Sequence, residues 1–127
     1  MEYVDLRETS GVVLAYLGDA IWELYIREYW ISKGLNLQNL NKRVKECVNA
    51  KKQSILYKEI FPLLEEKYQQ LGNRAKNGNI KTFPKSCSVM EYKEATAFEA
   101  LIAGFYTDKR EDLIEMAVKK CIEGEKI

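Results

Sequence analysis

The sequence predicts one all-α domain of about six to seven helices, spanning residues 1–127, and three observations predict it. Apolar residues recur at three- and four-residue steps along most of the chain, with no run of strand-like alternation. Cap residues and glycines punctuate those runs at helical intervals. The composition, 46% hydrophobic and 31% charged over 127 residues, is that of an ordinary globular domain with its own core.

The first predicted helix runs from Val12 to Ile31, with an apolar stripe of Val13, Leu17, Ile21, Leu24 and Tyr25. Ser10 supplies an N-cap, and Gly34 a stop. Asn36 caps a second helix carrying Leu37, Leu40, Val44, Cys47 and Val48. A third covers Lys51 to Phe61, and Pro62 breaks or restarts it at a first-turn position. Leu63, Leu64, Tyr68 and Leu71 continue to a stop at Gly72. From Asn73 to Met90 periodicity is lost, and Asn77-Gly78-Asn79 and Phe83-Pro84 are turn signals. A fifth helix spans about Glu91 to Tyr106. Asp108 with Glu111 resembles a capping box for the last helix, which Gly124 ends.

Composition excludes several chemistries. With no histidine, the chain has no Ser-His-Asp or Cys-His nucleophilic system and no imidazole zinc site. Cys47, Cys87 and Cys121 are odd in number and form no CxxC pair, which fits a reducing cytoplasm. The first ten residues lack the basic start and apolar run of a signal peptide. No apolar stretch reaches membrane-span length, so no membrane association is expected.

The net charge of +1 conceals an asymmetry. Residues 1–40 hold 3 basic and 6 acidic residues, net −3; residues 41–85 hold 11 and 4, net +7; residues 86–127 hold 6 and 9, net −3. A basic middle attracts polyanions through counterion release, or is a solvated lysine-rich helix face. The aperiodic stretch adds Arg74, Lys76, Lys81 and Lys85, and loops this long are often functional.

Two acids interrupt apolar helices. Asp19 stands among Leu14, Ala15, Leu17, Ala20 and Ile21, and Glu99 among Ala97, Phe98, Ala100, Leu101 and Ile102. A desolvated carboxylate needs a partner or a cation. Ala15, Ala95 and Ala103, each one turn away, let helices approach or leave room for a hydrated ion. Magnesium is typically held by one or two carboxylates, waters and substrate phosphate. The other reading is that each acid pairs with lysine or arginine, or faces solvent.

Leu14-Ala15-Tyr16-Leu17-Gly18-Asp19-Ala20-Ile21 resembles the "FLGD" signature helix of ribonuclease III. Thr96-Ala97-Phe98-Glu99-Ala100-Leu101-Ile102-Ala103-Gly104 resembles that family's second acidic motif. Asn49-Ala50-Lys51 with Gln53, and Arg74-Ala75-Lys76-Asn77-Gly78, resemble blocks of its short Mini-III subfamily, which lacks a double-stranded RNA-binding domain. The resemblance runs from about Gly11 to Val118. Full-length ribonuclease III carries a further acid in each motif, where this chain has Ala15 and Thr96; both replacements match the Mini-III pattern.

The resemblance implies a ribonuclease III-like fold, a homodimer and Mg²⁺-dependent hydrolysis of double-stranded RNA, with Mn²⁺ able to substitute. Asp19 and Glu99 are the implied catalytic and metal-binding residues, with Glu23 and Thr96 as outer-shell candidates; Glu23 alternatively pairs with Arg27 one turn on. Lys51, Lys52, Arg74, Lys76 and Lys85 are the implied RNA contacts, in agreement with the charge pattern. The implied substrate is the precursor of large-subunit (23S) ribosomal RNA, with a ribosomal protein or pre-ribosome as further partner. The surplus of aromatic surface on the first helix places the dimer interface near Trp22, Tyr25 and Tyr29. The rival expectation is a non-catalytic double-stranded RNA-binding or ribosome-assembly protein of the same fold.

Overall fold

The computed structural model describes residues 3–78 and 85–125. Asn79, Lys81 and the Phe83-Pro84 turn signal lie outside the described residues. Six α-helices and one 3-10 turn follow in order: α1 Gly11–Ile31, α2 Leu37–Cys47, α3 Ala50–Ile60, the turn Phe61–Leu63, α4 Glu66–Lys76, α5 Val89–Thr107 and α6 Glu111–Glu125. Among the described residues there is no strand, and no helix is long and apolar enough to cross a membrane.

Local chemistry explains most boundaries. The Ser10 hydroxyl accepts from Val13 N at 3.3 Å and starts α1. Asn36 starts α2 in the same way, accepting from Asn39 N at 2.9 Å. Gly34, at φ +77°, supplies the left-handed residue between them. Asn49 caps α3 through Lys52 N at 2.9 Å. Ser88 and Glu91 form a reciprocal capping box at the start of α5, worth about 1 kcal/mol by the usual cost of losing a cap.

Three expectations are corrected. Gly72 does not stop a helix; α4 continues through it to Lys76. A Cβ on Gly72 would lie 3.0 Å from the Tyr57 hydroxyl, so this glycine makes room for a ring. Asp108 does not open a capping box for the last helix. It ends α5, and its carboxylate accepts from the Tyr68 hydroxyl at 2.7 Å and pairs with Lys67 at 3.2 Å. The third concerns the core stripe of α1, which is Leu14, Ala15, Gly18, Ile21, Trp22 and Ile26. Val13 (57% exposed) and Leu24 (55%), both placed in that stripe by spacing, face outward.

The core surrounds α5, which packs on α1, α3 and α4. From Glu94 to Phe105 every residue of α5 is buried except Glu99. A helix buried on all sides belongs at the centre of a domain. Trp22 meets Phe98 edge-to-face at 4.8 Å, and its indole N–H donates to the Cys47 carbonyl at 3.1 Å. That pair joins α1, α5 and the end of α2 around the two acidic segments.

Candidate active site

The site lies where α1 crosses α5. Gly18 makes this crossing close: a Cβ there would lie 1.7 Å from the Glu99 carbonyl oxygen and 2.5 Å from its carbon. With only hydrogen at that point, the backbones approach until the next residue of α1, Asp19, meets Glu99 across the crossing. Asp19 is exposed and Glu99 half-buried. The two carboxyl groups lie together at this crossing, with the Gln53 side chain of α3 nearby. The small residues Ala15, Ala95 and Ala103 are all buried and serve the close packing of these helices.

Glu99 is pushed up from its ordinary 4.5 to about 9, first by burial and then by the hydrogen bond and charge of Asp19; Gln53 opposes the shift. Two hard oxygen donors brought this close form a place suited to a cation, which satisfies both charges at once. Among the described residues no third acid or cysteine joins them. A two-carboxylate donor set leaves the remaining positions to water and phosphate, the habit of Mg²⁺.

The folded protein keeps a proton on Glu99 at pH values where the unfolded chain has released it. Stability of the ion-free protein is therefore highest below about pH 4.5 as far as this group is concerned, and is lost as pH rises toward about 9. Thermal unfolding in chelator across pH 5 to 9, with Glu99→Gln alongside, measures this. The variant is expected to have a flatter profile. Equal slopes would show that Glu99 ionises freely.

The other expected site residues are dispersed. Glu23 pairs with Arg27 on the surface of α1, the alternative its spacing left open. Thr96 does not present a free hydroxyl: it is 6% exposed and donates to the Tyr92 carbonyl of its own helix at 3.0 Å, so its proton is not directed at an outer shell. Arg74 is committed to structure. Its guanidinium donates to the Thr9 carbonyl at 2.8 Å and the Leu6 carbonyl at 2.6 Å, holding the segment before α1 against α4. Lys52 is half-buried with its ammonium close against Gly124 near the end of α6. Lys51 and Lys85 are exposed and Lys76 is half-buried at the end of α4. The buried Gln53, and the buried pair Ser54–Glu94 in which the hydroxyl donates at 2.8 Å, were not among the expected site residues. A polar residue on the core-facing side of a helix was the available signal.

An all-helical domain whose two acid-centred motifs meet at a helix crossing has the architecture of a ribonuclease III endoribonuclease domain. The Ribonuclease III domain family matches residues 12–110. A Mini-ribonuclease 3-like protein of Ilyobacter polytropus is 53% identical over 127 residues, covering 99% of this chain and 100% of that protein. A Mini-ribonuclease 3 of Enterococcus faecalis is 33% identical, covering 94% of this chain and 92% of its own length. A crystal structure of a Fusobacterium nucleatum protein superposes with a TM-score of 0.89 at 53% identity, covering 98% of this chain and 100% of that one. The chain belongs to the ribonuclease III family, in its Mini-ribonuclease 3 group, and is an endoribonuclease.

Proposed function

We propose that this protein is a Mg²⁺-dependent endoribonuclease that hydrolyses double-stranded RNA, with Asp19 and Glu99 as its catalytic, metal-holding pair. The observation that carries the reading is the meeting of these two carboxylates at the Gly18 crossing. A divalent ion held there lowers the pKa of water and offsets phosphate charge, and Mn²⁺ can substitute. The chain's own part is to fix two oxygen donors on rigid helices. Asp19 stands at the exposed edge, open to a phosphodiester, while Glu99 is anchored in the core. The basic residues hold the duplex by its phosphates, since A-form RNA is read by shape and backbone.

A duplex presents two strands, so paired cuts call for two centres related by a two-fold axis. We place the dimer face on the outward side of α1, where Tyr16 (85% exposed) lies with Val13 and Leu24. The expected position at Trp22 is corrected, because Trp22 is fully buried in the core. The proposed substrate, the double-stranded ends of large-subunit ribosomal RNA precursor in the cytoplasm, rests on the family resemblance, as does a ribosomal protein or pre-ribosome as partner.

Cleavage of a long RNA duplex, beside either strand alone, tests this reading. Cutting confined to the duplex is expected. Duplex binding with no cutting in Mg²⁺ or Mn²⁺ would favour the non-catalytic RNA-binding alternative.

The basic residues divide into two groups with different expected effects. Replacing Lys51, Lys76 and Lys85 together with alanine should weaken duplex binding and flatten its salt dependence by up to about one unit of slope per lost phosphate contact. Arg74→Ala should instead lower thermal stability, because it frees two backbone carbonyls. Salt titrations of duplex binding and melting curves separate the two. An unchanged slope in the triple variant would place the RNA path elsewhere.

A further inference from the structure

We propose that the exposed side of α2, with Lys42, Arg43 and Lys45, is a second phosphate-binding surface that grips the backbone of the RNA duplex away from the acidic pair. The proposal rests on the reading of this protein as a nuclease of double-stranded RNA.

The core makes little use of α2. This helix buries only Val44 and Cys47, and Lys42, Arg43 and Lys45 are all exposed. Asn39, Lys42, Arg43 and Glu46 recur at helical spacing on one side of it, and with Leu35 they line a hollow of about 490 Å³. Glu46 is the acid of this side and pairs with Arg43 at 3.6 Å. Among the described residues neither Lys42 nor Lys45 has an acidic partner.

Aromatic rings hold two cations in place here. The Arg43 guanidinium lies over the Trp30 ring at 5.4 Å, and the Lys33 ammonium, just past the end of α1, lies over the Tyr29 ring at 5.1 Å. Tyr29 and Trp30 meet edge-to-face at 5.0 Å, so one aromatic pair carries both charges. A guanidinium stacked on an indole has already lost part of its freedom and keeps N–H donors for an anion.

Helix α2 also runs back toward the acidic pair. Arg43 sits over Trp30, which stands about 16 Å beyond Asp19 along α1 at about 1.5 Å per residue. One turn further along α2, the Cys47 carbonyl accepts from the Trp22 indole at 3.1 Å, less than a turn from Asp19. Asn49 then donates to the Lys45 and Glu46 carbonyls at 2.9 and 3.1 Å, fixing the corner into α3, where the exposed Lys51 follows. The cations of α2 therefore stand beside a strand several nucleotides from the point where it meets the acids. Ammonium, guanidinium and the Asn39 amide are phosphate donors, which read backbone and shape rather than sequence. An acidic protein would need a buried apolar anchor besides charge, and the hollow offers only the half-buried Leu35.

The test uses the full chain with Lys42→Ala/Lys45→Ala, the same pair with Arg43→Ala added, and Lys42→Arg/Lys45→Arg. Duplex binding is titrated with salt in chelator. Cleavage KM and kcat in Mg²⁺ and melting temperature are read on the same samples. The double alanine variant should flatten the dependence of log affinity on log salt by up to about two units and raise KM about tenfold, with the loss in KM rather than in kcat. The added Arg43→Ala should flatten it further, and the arginine pair should restore the parent slope. A purely structural role would move the melting temperature and leave the slope alone. If the triple variant fails to fold, the double variant decides, because its two lysines have no partner to lose. An unchanged slope and KM in the folded double variant would overturn the proposal and leave this side of α2 to an acidic protein. A parent protein that neither binds nor cuts the duplex would instead overturn the reading of the protein as a duplex nuclease.

Discussion

Asp19→Asn and Glu99→Gln are each expected to lower duplex cleavage by about a hundred- to a thousandfold or more, the range seen when one charge-stabilising group is taken from a preorganised site. Both amides keep the shape of the acids and remove the charge that holds an ion. The fold should survive. Asp19 is exposed, and asparagine keeps its shape and an oxygen acceptor beside Glu99. Glu99 is protonated at neutral pH in the ion-free protein, so a neutral amide is close to the state the core already accepts. Duplex binding should also survive, because the basic residues are untouched. Single-turnover rates at saturating RNA, with binding measured in parallel, check both points. Normal turnover by either variant would remove that residue from the site.

Gly18→Ala has the second large expected effect, and two opposing terms decide its sign. Alanine in place of glycine inside a helix favours folding by up to about 1 kcal/mol. Against this, the added Cβ would lie 1.7 Å from a backbone oxygen of the central helix, a contact that no side-chain rotation relieves. Overpacking a well-filled core typically costs about 1–3 kcal/mol, and occasionally more. A collision with main chain at this separation belongs at the upper end, so α1 and α5 must move apart. A net loss of about 2 kcal/mol or more is expected, with a fall in Tm of several degrees. Activity should fall further than stability, because the displaced helices are those that carry Asp19 and Glu99. Melting curves and cleavage rates measured below the variant's Tm separate the two losses. A variant as stable and active as the parent would show that the helices do not depend on this approach.

Helix starts were the most legible part of the fold. Ser10 and Asn36 cap by side-chain chemistry that is local, and local chemistry is written in sequence. Glycine was harder, because it serves opposite ends: Gly34 turns the chain, whereas Gly72 and Gly18 allow close packing within helices. Only a neighbour distant in sequence distinguishes them, Tyr57 for Gly72 and Glu99 for Gly18. The inward face of α1 was hard to read for a related reason. Val13, Tyr16 and Leu24 leave its outer side apolar as well, so spacing alone cannot say which stripe is buried. Trp22 has the aromatic character of an interface residue, yet Phe98 and the Cys47 carbonyl hold it in the core.

The acidic pair was legible for a different reason: each acid interrupts an otherwise apolar helix, and each sits in a motif that resembles a known one. Its supports were not. Arg74 belongs to a basic segment, and nothing in its own motif shows that two carbonyls of the N-terminal segment, more than sixty residues away, occupy its guanidinium. Gln53 is one uncharged polar residue after two lysines, and its burial appears only once α3 is packed on α5.

The metal dependence of the Asp19–Glu99 centre is measured by cleavage of a long RNA duplex with Mg²⁺, then excess chelator, then Mg²⁺ restored, on one sample of the parent protein beside Asp19→Asn. The parent is expected to cut in Mg²⁺, stop in chelator and resume when Mg²⁺ returns, while Asp19→Asn stays inactive throughout with its binding intact. Cutting that continues in chelator, or an Asp19→Asn protein that cuts as the parent does, would contradict it.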